Sequence, residues 1–335
     1  MRILFVLLFC FSFSAIADVT VITYNMSQLK KKGLDLVACT KRRTSLQVDA
    51  IFKDPASPIF ASKDFVLLIQ ESWTKKSFLA LKAAATERKL TFFPEAYNDV
   101  KNSGQLVITN LSAQEMKRTP FSRDKYAQKG IIYARLSLTS GKTIGVINVH
   151  TGYSEKTGFS EEHRRHFEEI SQAMEVYKPL TDYFVVGGDF NAGPDIKYKA
   201  VKFDAAKTIW EDGIMLYMRN QNMRLLESVG ATWDEENNML VRVPPLLLRI
   251  VNKYKNGYTG WDMNNSTLDH IFVPDTMIVS RHELAFNKKV KLNCGKRDDK
   301  DGMLHLSDHY GVMAVISTEE SVDPVTAIKT ISLPE

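Results

Sequence analysis

The chain has 335 residues, enough for one large domain or two small ones with an ample core. Its apolar and charged fractions are those of a soluble globular protein, and past the N-terminus no stretch approaches the ~20 apolar residues of a membrane-spanning helix, so no transmembrane segment is expected. The formal charge of +5 suits an anionic substrate, nucleic acid or lipid headgroup, and equally suits solubility alone.

The chain opens with a positive end, Met1-Arg2. An apolar run over 3–14 follows, then the small-x-small triplet Ala15-Ile16-Ala17. This is the pattern of a cleavable signal peptide over 1–17, and it predicts a mature protein from Asp18 in a periplasm or outside the cell. Cleavage removes Cys10. Cys39 and Cys294 remain, and in an oxidising compartment they could pair or stay as two separate buried thiols. No repeat or low-complexity linker interrupts 18–335, which reads as one domain. Short β-branched apolar runs at 19–24, 65–70, 105–109, 130–138, 143–150, 183–188, 268–273 and 310–317 predict buried strands. Helical spacing appears at about 44–52 and 75–89. It is clearest at 161–177, where Ser160 is the expected N-cap, Glu161 and Glu162 occupy the first turn, and Phe167, Ile170 and Met174 form an apolar stripe. Many strands with helices between them imply layers, and two sheets face to face with helices outside would accommodate them. The stretch 200–262 is irregular and includes Pro244-Pro245-Leu246-Leu247-Leu248, either a substrate-facing loop or a surface excursion.

Several predicted strands end on residues able to bind a metal or move a proton. Asn25 ends the first and Glu71 follows the second. His150 ends another, Asp189-Phe190-Asn191 follows a fourth, and Asp308-His309 precedes the last. Taken singly, Asn25 reads as a turn residue, Glu71 as a solvated strand end, His150 as a structural histidine, and 189–191 as an Asx-rich turn. His163 and His166 match no zinc helix motif, and His270, His282 and His305 have no evident partner. There is no C-x-x-C pair, P-loop, G-x-G-x-x-G or G-x-S-x-G.

In this order, however, Gly188-Asp189-Phe190-Asn191, Leu268-Asp269-His270-Ile271-Phe272 and Ser307-Asp308-His309 resemble the endonuclease/exonuclease/phosphatase superfamily over about 19–316. The resemblance implies a four-layered α/β sandwich, two packed, mostly antiparallel β-sheets flanked by helices. It also implies Mg²⁺, or another divalent cation such as Mn²⁺, held by Asn25 and Glu71. His309 would be the general base, oriented by Asp269. Asp189 would position the attacking water and Asn191 would donate to a phosphate oxygen. His150 would bind the phosphate or protonate the leaving group, and Asp308 would support the site or an outer metal position. Lys129-Gly130 and Thr232-Trp233-Asp234 resemble the bacterial neutral sphingomyelinase branch, although Thr151-Gly152 departs from its pattern after the histidine and Thr-Trp-Asp also occurs in tyrosyl-DNA phosphodiesterases. The expected function is therefore a secreted phosphodiesterase releasing a phospholipid headgroup, with transient membrane-surface contact and a monomeric state. A deoxyribonuclease I-like endonuclease, its phosphates met by basic runs at 30–32, 41–43 and 288–291, is the alternative. A phosphomonoesterase or a non-catalytic binding protein on the same fold comes third.

Overall fold

The computed structural model describes residues 18–28, 30–31, 34–35, 37, 39–100, 103–122, 128–152, 160–196, 206–242, 265–292 and 301–318. The expected signal peptide, Cys294 and 244–248 lie outside the described residues. In chain order the strands are β1 (Asp18–Asn25), β2 (Lys30–Lys31), β3 (Leu34–Asp35), β4 (Asp64–Gln70), β5 (Thr91–Phe93), β6 (Leu106–Thr109), β7 (Ser112–Pro120), β8 (Gly130–Ser137), β9 (Thr143–His150), β10 (Tyr183–Asp189), β11 (Met223–Leu225), β12 (Asp269–Pro274), β13 (Val279–Ala285), β14 (Lys289–Lys291), β15 (Met303–His305) and β16 (Gly311–Ser317). The helices that build the layers are α1 (Thr40–Phe52), α2 (Lys75–Glu87) and α4 (Ser160–Tyr177), with a short α3 (Tyr97–Val100) before β6 and a π-helical segment at Ala206–Met215.

Twelve strands form two six-stranded sheets, ordered β13-β16-β1-β4-β6-β5 and β11-β12-β10-β9-β8-β7. Each contains a single parallel pair, β1 with β4 and β9 with β10, and is otherwise antiparallel. The expected mostly antiparallel sandwich is therefore the fold. Alternation along the strands explains why the sheets stack. Val19 and Val21 of β1, Val66 and Leu68 of β4, and Val312 and Ala314 of β16 point one way and meet Ile132 and Ala134 of β8, Val146 of β9 and Ile271 of β12. The intervening residues Ile22, Tyr24, Leu67 and Ile69 face outward and are covered by Val48, Ile51 and Phe52 of α1 and Phe78, Leu81 and Ala85 of α2. On the far side Phe167, Ile170 and Met174 of α4, the predicted stripe, and Ile209 and Trp210 of the π-helical segment cover the second sheet. With both faces of each sheet buried, central strands read as unbroken apolar runs.

Where the expected boundaries and the structure differ, the cause is tertiary. Helix α1 starts at Thr40, four residues before the apolar period begins, because its first turn buries Thr40, Arg43 and Thr44 among polar partners. Strands β7 and β13 carry no apolar run; they close sheet edges, and most of their residues are exposed or half-buried. Cys39 is disulfide-bonded. No helix among the described residues is long and apolar enough to cross a membrane.

Candidate active site

Both parallel pairs end at the same rim, and the site lies there. In the second sheet Asp189 is paired laterally with His150 of β9 on one side and Asp269 of β12 on the other. Adjacent strands lie about 4.8 Å apart, so three residues far separated in sequence stand in a row. Gly188, with φ 151°, permits this register: a Cβ there would sit 2.0 Å from the Val149 carbonyl oxygen. In the first sheet, Asn25 is paired with Gln70, so Asn25 and Glu71 leave their strands side by side. Strand β16 runs antiparallel to β1 and brings the preceding Asp308 and His309 to the same end.

Hydrogen bonds join the two rims. Asn25 Nδ2 donates to Asp189 Oδ2 at 2.8 Å, from one sheet to the other, while Asn25 Oδ1 accepts the Ser27 N–H at 2.9 Å. Asp189 Oδ1 accepts the Asn191 N–H at 2.8 Å. His309 Nδ1 lies 2.7 Å from Asp269 Oδ2, as expected of the orienting pair. His150 Nε2 is 3.7 Å from Glu71 Oε1 and 3.6 Å from Asp189 Oδ2 and has no hydrogen-bond partner. Asp308 Oδ1 accepts from the Ser307 hydroxyl at 3.4 Å, and that hydroxyl also donates to the Asn25 carbonyl at 2.7 Å. All eight expected residues are thus brought to one place. Asn191 differs from expectation in detail: its Nδ2 is directed at the Thr151 carbonyl (3.1 Å) and Asp189 Oδ2 (3.3 Å), so it ties the turn after His150 to Asp189. Asn191 and Glu71 both adopt left-handed φ values, 46° and 56°, conformations that side chains resist and that cluster at functional sites. Gly104 leaves room for the second; a Cβ there would lie 2.8 Å from the Glu71 Cα.

The electrostatics follow from crowding four carboxyl groups with two imidazoles in a buried pit. Burial, and then the charge of Asp308, push the Glu71 carboxyl up to about 7. Burial pushes Asp269 up as well, against the pull of His309. Burial disfavours a charged His309, but Asp269, Asp189 and Asp308 outweigh it and raise the imidazole. His150 goes the other way, held neutral by burial and by the charges of Lys129 and His309. Among the described residues, two overlapping groups have donor atoms close enough for one metal ion, Glu71-His150-Asp189 and Asp189-Asp269-His309.

Sequence reasoning assigned no supporting role to the residues that hold these groups, although it singled out Lys129, Thr232 and Trp233 on other grounds. Gln70, directly before Glu71, and Asn148, two residues before His150, bond between the sheets beneath the pit: Gln70 Nε2 donates to Asn148 Oδ1 (2.8 Å), and Asn148 Nδ2 to the Ile69 and Leu106 carbonyls (3.0 and 2.9 Å). Lys129 is buried and donates to the same Thr151 carbonyl as Asn191, at 2.9 Å. Thr232 Oγ1 accepts the N–H groups of Leu268 (2.9 Å) and Asp269 (3.2 Å), and the Trp233 ring meets His309 edge-on at 5.3 Å. The polar residues in otherwise apolar runs were the available signal. Two of the histidines set aside have partners away from the site: His166 stacks on Phe121 and accepts the Gly152 N–H, and His270, read without an evident partner, bonds the Ala192 carbonyl at 2.8 Å.

No family model and no curated protein matches the sequence. Solved structures do match. Beta toxin from Staphylococcus aureus is 17% identical, with a TM-score of 0.58 over 88% of this chain and 98% of that one. D. rerio TDP2 complexed with a single-strand DNA product is 14% identical, with a TM-score of 0.57 over 90% and 100%. SmcL is 15% identical, with a TM-score of 0.55 over 90% and 99%. A further beta toxin structure holds bound magnesium ions. The chain has the endonuclease/exonuclease/phosphatase fold that its motifs resemble, over essentially the whole length of these proteins.

Proposed function

We propose that the protein is a metal-dependent phosphodiesterase. The observation that carries this reading is the convergence of Glu71, His150, Asp189 and the Asp269–His309 pair on one rim, with Asn25 linking the sheets across it. Hard oxygen donors from Asn25 and Glu71 beside Asp189, and the burial and carboxylate repulsion that lift Glu71, fit a divalent cation such as Mg²⁺. When bound, the ion would polarise the phosphoryl group and steady the leaving oxygen. The chain's own residues do the rest. Asp269 fixes His309 through Nδ1, directs Nε2 at the attacking water and stabilises the imidazolium that forms; because the surrounding carboxylates raise this imidazole, His309 would act as base only where a bound cation's charge offsets them. Asp189, braced by Asn25 and Asn191, aims that water. His150, kept neutral, has an N–H to offer a phosphate oxygen or the leaving group.

A phospholipid headgroup is the first-choice substrate, supported by the likeness of the Lys129-Gly130 and Thr232-Trp233-Asp234 segments to sphingomyelinases and by the expected export. Nucleic acid is the second, favoured by the DNA complex among the similar structures. Phosphocholine release from sphingomyelin vesicles in Mg²⁺, with Asp189→Asn as the blank, tests this. Release by the native protein alone is the expected result; cleavage of DNA without release would move the assignment to a nuclease.

A pH dependence follows from Glu71. Its folded value of about 7 lies above the ~4.3 of an unfolded chain, so between these the folded protein keeps a proton that the unfolded one has lost. Metal-free stability therefore falls as pH rises through that window, and an incoming cation must displace the proton. Mg²⁺ affinity, measured by calorimetry, should climb by up to about tenfold per unit below pH 7 and level off above it. Glu71→Gln should flatten the profile. An affinity already constant from pH 5.5 to 8 in the native protein would refute the assignment of Glu71 as a ligand.

A further inference from the structure

The basic run at 41–43 does not form one face. Lys41 and Arg42 are exposed, whereas Arg43 is fully buried. Its guanidinium donates from Nη1 to the carbonyls of Leu306 (2.7 Å) and Met26 (3.3 Å), and from Nη2 to that of Ser27 (2.6 Å). One helical turn later, Gln47 Nε2 donates to Met26 and Leu306 again, both at 2.8 Å. Thr44 Oγ1 donates to Gln28 Oε1 at 2.9 Å. Met26 and Ser27 directly follow Asn25, and Leu306 directly precedes Ser307-Asp308-His309. A single face of α1 thus grips two of the three turns that carry site residues of the first sheet, the third being that of Glu71.

Burying a guanidinium is costly unless its N–H groups find acceptors, and its rigid planar fork suits several convergent carbonyls in a way that a lysine does not. An apolar side chain would anchor α1 to the sheet as well, as Val48, Ile51 and Phe52 do further along. We propose that Arg43, assisted by Gln47, is a positioning residue: it holds the turn after β1 and the turn before β16 at one separation, so that Asn25 and the Asp308-His309 pair stay aligned for cation and substrate. It touches neither. The proposal rests on the functional reading above.

Arg43→Met, Arg43→Lys and Gln47→Met are compared with Ile51→Ala, a buried apolar change in the same helix. Three quantities are read: melting temperature, Mg²⁺ affinity by calorimetry well below melting, and the low-field proton resonance of the His309–Asp269 hydrogen bond. Arg43→Met should weaken Mg²⁺ binding at least tenfold and shift or erase the resonance, with Arg43→Lys recovering part of both. Ile51→Ala should keep both within twofold despite a comparable loss of melting temperature. Folded Arg43→Met with both readouts within twofold of native would overturn the proposal, as would equal losses in Ile51→Ala. If Arg43→Met does not fold, Gln47→Met decides the question: a threefold or greater loss of affinity supports the clamp and an unchanged affinity refutes it. Neither readout uses turnover. A native protein that binds Mg²⁺ yet hydrolyses no phosphodiester would refute the functional reading and leave this comparison standing.

Discussion

Asp189→Asn should lower kcat by about 10³–10⁴-fold while the protein stays folded. The carboxylate accepts from Asn25 Nδ2, the Asn191 N–H and Asn191 Nδ2, and it stands 3.6 Å from His150 Nε2. An asparagine fills the same volume but must turn its NH₂ toward one of those donors, which costs about 1–3 kcal/mol of stability, a few degrees of melting temperature. It also withdraws the charge that aims water and favours a protonated His309. His309→Ala should cost a similar factor, and the two together little more than either alone, because residues that act as a unit are not additive. Purified, folded Asp189→Asn with turnover within tenfold of native would end the site assignment.

Chelation should have the second large effect. Glu71, Asp189, Asp269 and Asp308 are all drawn into one pit, where burial, then the charge of Asp308 and, less, of Asp189 raise Glu71. Such a set demands positive charge, and Lys129 and His309 supply only part of it. In excess EDTA hydrolysis should fall to background, and Mg²⁺ or Mn²⁺ in excess of the chelator should restore it. Glu71→Gln should need at least about tenfold more Mg²⁺ for half-maximal rate, since removing one charged ligand of a hard cation costs on the order of the ~1.4 kcal/mol that a factor of ten represents. Undiminished activity after exhaustive chelation would rule out the metal-assisted mechanism.

Much of the fold was legible because its central strands are covered on both faces and so are written as continuous β-branched runs; 143–150 begins and ends as β9 does. The candidate site was legible because Gly188-Asp189-Phe190-Asn191, Leu268-Asp269-His270-Ile271-Phe272 and Ser307-Asp308-His309 stand in the order of the superfamily they resemble; singly, each polar strand end reads as a turn or structural residue. Edge strands were not legible. β7 lies half in solvent and β13 pairs only at one side, so neither shows a pattern separable from a loop. Supporting residues were misread for a related reason. Arg43 sits between Arg42 and Thr44 in a stretch that looks solvated, and only the two turns arriving from 26–27 and 306 make its burial affordable.

By itself the sequence determined which residue types could do chemistry, the order in which they appear, and that many buried strands alternate with helices, because these depend on local patterning; the four-layered sandwich came from the resemblance of its motifs. Tertiary structure decided the rest. The lateral pairing of His150, Asp189 and Asp269, the bond from Asn25 across the sheets, and the grip of α1 on the turns after β1 and before β16 each join residues 16 to 263 positions apart. No local period encodes such contacts. They arise when two twisted sheets bury a common face and bring the ends of their parallel strands to one rim.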